Sequence, residues 1–162
     1  MIAPLTTLDR VPAADVVTGR CSVEEILSLR ARVLRPGQEI TSARFDGDLS
    51  PTTAHFCAWA GGEIVGVGTV WPEAPPWRPG GTGAWRLRGM ATDPGWRSLG
   101  VGRLVLEAAL GHVRAQGGNL LWCNARLRAV GFYQRAGLRT VGERWEEPGI
   151  GPHIAMEMHL SA

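Results

Sequence analysis

The chain has 162 residues, enough for one domain with a buried core, and a single domain over residues 1–162 is expected. Hydrophobic residues make up 44% and charged ones 20%, and a formal charge of only +2 offers no electrostatic case for nucleic-acid binding. Every one of the seventeen Lys/Arg positions is arginine, which excludes a catalytic lysine, a Schiff base or a Walker lysine.

The first residues, "MIAPLTTLDRVPAADVV", lack the basic region and continuous apolar run of a signal peptide. A short strand is expected around Val11 to Val17. "SVEEILSLRARVLR" then reads as a helix: Ser22 and Glu25 form a capping box, and Val23, Ile26, Leu27 and Leu34 recur at helical spacing. Pro36 and Gly37 stop it. "EITSARFDGDLSPTT" is polar and irregular, broken by Gly47 and Pro51. "AHFCAWA" and "EIVGVGTVW" flank Gly61-Gly62 and predict a hairpin with a two-residue turn. "PEAPPWRPGGTGA" is a Pro/Gly-rich surface loop, and "WRLRGMAT" is the next strand.

A second helix begins near Gly100, with Val101, Leu104, Val105, Ala108 and Val113 on one face, and ends at "QGG". "NLLWCNA" reads as a buried central strand, "LRAVGFYQRAG" as a short helix with Gly137 beyond its end, and "LRTVGE" and "HIAMEMHL" as closing strands. The order of elements is that of an α/β protein on a mixed sheet. Cys21, Cys57 and Cys123 are odd in number and show no C-x-x-C spacing, against a disulfide framework or a zinc site; no metal is expected. No apolar run approaches the ~20 residues that span a bilayer, so the expectation is a cytoplasmic chain without a membrane partner.

The stretch "ATDPGWRSLGVGRLVLEAAL" carries the most chemistry. A strand feeding a Gly-rich turn that opens a helix presents unsatisfied N–H groups and the positive end of a helix dipole to an anion. Walker A fails for want of a lysine. The dinucleotide fingerprint fails because Val105 stands where its third glycine belongs. The pattern that fits is [RQ]-x-x-G-x-[GA], as Arg97-Ser98-Leu99-Gly100-Val101-Gly102 after Asp93-Pro94.

That loop resembles the acetyl-CoA pyrophosphate loop of the GNAT superfamily of N-acetyltransferases. Downstream, "NARLRAVGFYQRAGLRTVGE" is similar to the second signature of that family, with Asn124, Phe132, Tyr133, Arg135, Gly137 and Leu138 in the matching places. The resemblance is clear from about Trp85 to Glu143. It implies a mixed, mostly antiparallel sheet of about six or seven strands flanked by about four helices. It also implies transfer of an acetyl group from acetyl-CoA to an amine by direct attack in a ternary complex. The main chain of Met90, Ala91 and Thr92 would receive the thioester, an N–H there serving as oxyanion donor. Arg97, Ser98, Leu99, Gly100, Val101, Gly102 and Arg103 would hold the phosphates, with Asn124 beside the cosubstrate.

Tyr133, the only tyrosine, matches the residue that protonates the leaving thiolate; a phenol of pKa about 10 does so against a thiol of about 8.5 with a small uphill step. For the amine's proton, Glu73 is a candidate water-holding base, and Glu143, His55 and His153 are others. Arg126, Arg128 and Arg135 lie near the two motifs. Trp71, Trp77 and Trp85 flank the Pro-rich loop as candidate walls of an acceptor pocket, and residues 1–52 with the loop from Pro72 to Ala84 are expected to form most of it.

The acceptor remains open among a protein N-terminus, a polyamine, an aminoglycoside and an amino-acid-like metabolite, that is, a small-molecule or peptide amine. The absence of a markedly acidic surface argues against polycations. A homodimer is the family-based expectation for assembly. The competing reading is a non-catalytic acyl-CoA sensor or interaction domain on the same fold, which would have no need of the Tyr133 phenol.

Overall fold

A computed structural model describes residues 15–161. Seven strands form one sheet: β1 (Val17–Cys21), β2 (Ala54–Ala60), β3 (Glu63–Pro72), β4 (Ala84–Thr92), β5 (Leu120–Arg126), β6 (Arg139–Glu147) and β7 (Gly151–His159), in the spatial order β1-β2-β3-β4-β5-β7-β6. Helices α1 (Val23–Leu34), α2 (Val101–Ala115) and α3 (Val130–Arg135) pack on it. The strand expected at residues 11–17 falls mostly outside the described residues, and β1 begins at Val17.

About four helices were expected and three α-helices are found among the described residues. The polar stretch after α1 makes only a 3₁₀ turn at Ile40–Ala43, because Gly47 and Pro51 leave no room for a regular helix before β2. No helix among the described residues is long and apolar enough to cross a membrane.

The local signals act as read. The Ser22 hydroxyl accepts from the Glu25 N–H, and the Glu25 carboxylate accepts from the Ser22 N–H, closing the capping box of α1. The Gly61-Gly62 turn joins β2 and β3, both glycines at positive φ.

The two larger hydrophobic clusters cover the two faces, beside a small one of Ala84, Leu120 and Trp122. Alternate residues of β2, β4 and β5, including Phe56, Leu87 and Leu121, meet Val105, Leu106 and Ala109 of α2. On the other face Cys57, Val67 and Ala91 meet Ile26, Leu27 and Ala31 of α1. These interfaces follow the helical and strand periods of the sequence and remove apolar area from water at about 25 cal/mol per Å².

Among the described residues only one strand pair is parallel. β4 and β5 pair from Ala84↔Leu120 to Arg86↔Trp122 and no further, so residues 87–92 of β4 and 123–126 of β5 diverge. Against β3 the register of β4 slips: Val67 faces Ala91 but Thr69 faces Arg88, an extra residue on β4. Gly89 sits in this bulge at φ +66°, and a Cβ there would stand 2.9 Å from Arg30 Nε. The bulge bends β4 away from β5, and the gap is where the site forms.

Candidate active site

A cleft of about 850 Å³ opens where β4 and β5 part. Its walls come from both faces of the sheet. On the α2 face lie the glycine loop, the start of α2, and α3 with Phe132 and Tyr133. On the α1 face lie the end of α1, Phe45, Arg88 and the row Arg126, His153 and Trp145. Arg126 opposes His153 across β5–β7, and Trp145 opposes His153 across β6–β7, so the three side chains share one face.

The glycine loop turns tightly before α2. Pro94–Trp96 form a single 3₁₀ turn capped by Asp93, whose Oδ1 accepts from the Gly95 N–H at 2.9 Å while Oδ2 pairs with Arg32 at 2.9 Å. Burial pulls the Asp93 carboxyl upward, but the Gly95 N–H and Arg32, with Arg97 nearby, hold it below the usual carboxylate range. Gly100 is the N-cap of α2 at φ +84° and ψ 4°, a left-handed conformation costly for residues with a Cβ. Because it has no side chain, nothing caps the helix, and the first intrahelical bond runs from the Leu104 N–H to the Gly100 carbonyl. The N–H groups at the head of α2 thus have no side-chain cap, an arrangement able to receive an anion.

Tyr133 lines the cleft with only 7% of its surface exposed. Burial raises its pKa well above the ordinary phenol value, and the neighbouring Cys123 thiol pushes the same way. The phenol is therefore protonated throughout the neutral range and is able to donate, not accept, a proton. Phe132 packs edge-on against it at 5.1 Å and borders Gly102, which fixes α3 against the loop.

Met90, Ala91, Thr92, Arg97, Ser98, Gly100, Val101, Gly102, Arg103 and Asn124 all border the cleft; Leu99 lies in the loop but not on the wall. Arg103 is paired with Glu107 at 3.0 Å on the surface of α2.

Among the four candidate bases, only His153 borders the cleft. Its Nδ1 lies 2.9 Å from the Gly151 carbonyl, which can only accept, so Nδ1 carries the proton and Nε2 keeps a lone pair when the ring is neutral. The ring stacks on Trp145 at 5.7 Å. Glu73 stands outside the wall, with its carboxylate 3.1 Å from Arg86 and its carbonyl accepting from Trp122 Nε1 at 2.8 Å. His55 is buried beneath the α1 face, and Glu143 is exposed on β6.

Few of the described residues expected around the acceptor line this cleft. Of residues 15–52, only Val33, Leu34, Arg35 and Phe45 reach the cleft, and the loop between β3 and β4 does not reach it at all. That loop enters β4 at its paired end, whereas the cleft opens at the other end. It borders instead a smaller hollow of about 380 Å³ with Asn119 and His159. Trp85 is core against His112, Trp77 donates to Glu157 at 2.9 Å, and Trp71 lies behind Arg86 and Arg88.

The walls hold groups that sequence reasoning missed: Arg35, Phe45, Arg88, Trp145 and Glu147. Arg86 and Arg88 were legible as two cations at period two in an otherwise apolar strand; the others carry no local signal.

Comparison with known proteins agrees with this geometry. Residues 22–138 match the acetyltransferase (GNAT) family. The chain is 33% identical over 135 residues to the uncharacterized N-acetyltransferase YitI of Bacillus subtilis (strain 168), covering 83% of this chain and 90% of that protein. Among solved structures, Escherichia coli ElaA superposes with a TM-score of 0.70 at 22% identity, over 88% of this chain and 98% of that one. An aminoglycoside 6'-N-acetyltransferase complexed with coenzyme A superposes with a TM-score of 0.67 at 16% identity, over 88% and 96%. At such identities the two structures speak for the fold, and the sequence match speaks for the family. A parted β4–β5 pair, an uncapped helix start facing a buried tyrosine and the family match lead to one conclusion: the chain belongs to the GNAT family of acetyltransferases, which supports acyl transfer from an acyl-CoA.

Proposed function

We propose that the protein is an N-acetyltransferase that moves the acetyl group of acetyl-CoA to an amine by direct attack in a ternary complex. The observation that carries this reading is the uncapped head of α2, with Gly100 in the left-handed region, facing Tyr133 across one cleft.

In this reading Arg97 and the N–H groups of Gly100, Val101, Gly102 and Arg103 take the phosphates, Ser98 and Leu99 shape the turn, and Asn124 borders the pantetheine arm. The strand Met90–Thr92 contributes an N–H toward the developing oxyanion. The amine nitrogen bonds to the thioester carbon, the C–S bond breaks, and the thiolate takes the Tyr133 proton. His153 Nε2 accepts the proton that the amine loses, directly or through water. Glu73, held by Arg86, would reach the amine only through water. Burial keeps the Tyr133 phenol protonated at neutral pH, and it also makes proton transfer to the thiolate a steeper uphill step than for an ordinary phenol, which close placement of the leaving sulfur has to offset.

The test is a calorimetric titration with acetyl-CoA. Binding in the micromolar range by the parent, lost in Gly100→Glu, is expected, because a carboxylate at the head of α2 repels phosphate and the backbone there disfavours a side chain. Absence of binding by folded parent protein overturns the reading.

A further inference from the structure

Eight arginines border the cleft against one carboxylate, Glu147, on a chain whose formal charge is only +2. The glycine loop and α2 account for Arg97 and Arg103, which lie on the cosubstrate side. Arg86 is taken by Glu73 at 3.1 Å. On the α1 face, however, Arg35, Arg88 and Arg126 converge with no ion pair among the described residues.

Their positions are built. Arg126 Nη2 and Arg35 Nη1 both donate to the Leu34 carbonyl, each at 3.0 Å, at the negative end of α1. Phe45 is stacked between two guanidiniums, Arg30 and Arg88, each 4.1 Å from the ring centre. Burial, and after it the charges of Arg86, Arg30 and Arg35, make the Arg88 cation harder to hold; burial and the charges of Arg128 and Arg35 do the same at Arg126. Like charges gathered half out of water are unfavourable unless an anion joins them, and the guanidinium fork matches carboxylate and phosphate oxygens.

We propose that the acceptor is a small amine carrying an anionic group, a carboxylate or a phosphate, that seats between Arg35, Arg88 and Arg126 on the α1 side of the cleft. The proposal rests on the acetyl-transfer reading and adds its acceptor class. It places the anion beside His153, the register neighbour of Arg126, with the amine between His153 and the strand Met90–Thr92. It also excludes polycationic acceptors, which the same arginines repel.

The experiment first saturates the protein with coenzyme A, so that the phosphate-binding loop is occupied. The complex is then titrated calorimetrically with 3-aminopropanoate, 2-aminoethyl phosphate and the neutral 3-aminopropanamide. At least one anionic amine is expected to bind, and the amide roughly 10- to 100-fold more weakly, as befits a lost charge-assisted contact. The tighter of the two anions identifies the group. Arg88→Gln and Arg126→Gln are expected to weaken the anionic amine by a similar factor while retaining coenzyme A affinity, which also reports that they fold. Binding of coenzyme A without any anionic amine, or of the amide equally well, overturns this proposal alone. So does an equal loss of coenzyme A affinity in the variants, which would give the arginines to the cosubstrate. Failure to bind coenzyme A overturns the transfer reading together with it.

Discussion

Replacing Asp48 by alanine tests how the α1 side of the cleft is held in place. Arg30 of α1 is fully buried and Asp48 nearly so, at 0% and 3% side-chain exposure. The guanidinium donates to Asp48 Oδ2 at 2.7 Å and Oδ1 at 3.2 Å, to the Ala43 carbonyl at 2.9 Å and to Thr69 Oγ1 at 2.8 Å. Asp48 Oδ2 also accepts from the Phe45 N–H at 2.8 Å. Asp48→Ala removes the counter-charge and two of four guanidinium bonds, so the expected loss is that of a broken buried pair, about 3–5 kcal/mol. On a chain of this size that lowers Tm by roughly 6–20 °C. Denaturant unfolding should show a lower midpoint at unchanged m. The double variant Arg30→Met with Asp48→Ala removes both charges and should recover at least about 1 kcal/mol relative to the sum of the singles. A loss below about 1 kcal/mol for Asp48→Ala, or strict additivity of the two, refutes the reasoning.

Tyr133→Phe should lower kcat roughly 100-fold or more while acetyl-CoA affinity is retained, since only proton delivery to the thiolate is lost; unaltered turnover would remove Tyr133 from the mechanism. Because its pKa lies above the ordinary phenol value, no alkaline limb from Tyr133 should enter the rate profile below about pH 10. His153→Gln should reduce kcat by roughly 100-fold or more if Nε2 takes the amine's proton, and addition of free imidazole should restore part of the rate; a normal rate excludes it as base. His55 supplies a pH dependence of stability. Burial is the largest influence on it and lowers its pKa, the charges of Arg30 and Arg20 add to this, and its contacts with Asp48 oppose it. The unfolded chain therefore binds more protons, and this contribution is complete above about pH 6.5 and lost as the pH falls from there toward the lowered folded value. His55→Gln should flatten that part of the stability curve; an unchanged slope would deny the effect to His55.

The same residue shows why the lowered value fits its place. His55 Nε2 donates to the Asp48 carbonyl at 2.9 Å, and Nδ1 accepts from the Thr69 hydroxyl, 2.8 Å away, which itself accepts from Arg30. A proton added at Nδ1 would set a donor against that hydroxyl and a second cation beside Arg30. As a base, His55 is thus occupied by structure.

What the sequence determined by itself is the set of features carried within a few residues. The Ser22–Glu25 box, the Gly61-Gly62 turn and the glycine turn that opens α2 are short-range matters of backbone conformation, and the two motifs singled out Arg97, Gly100, Gly102 and Tyr133, which the fold brings to one cleft. Tertiary structure decided what depends on register between distant segments. The bulge at Gly89 and the early end of β4–β5 pairing at Arg86↔Trp122 open the cleft. Arg35, Arg88, Arg126 and His153 come from the end of α1 and from β4, β5 and β7, and no local spacing links them. Trp77, within the Pro-rich loop, and Trp85, just after it, went to a buried carboxylate and to the core, because β4 runs parallel to β5 and carries that loop away from the gap. Chain order governs caps and turns; strand pairing governs which side chains meet.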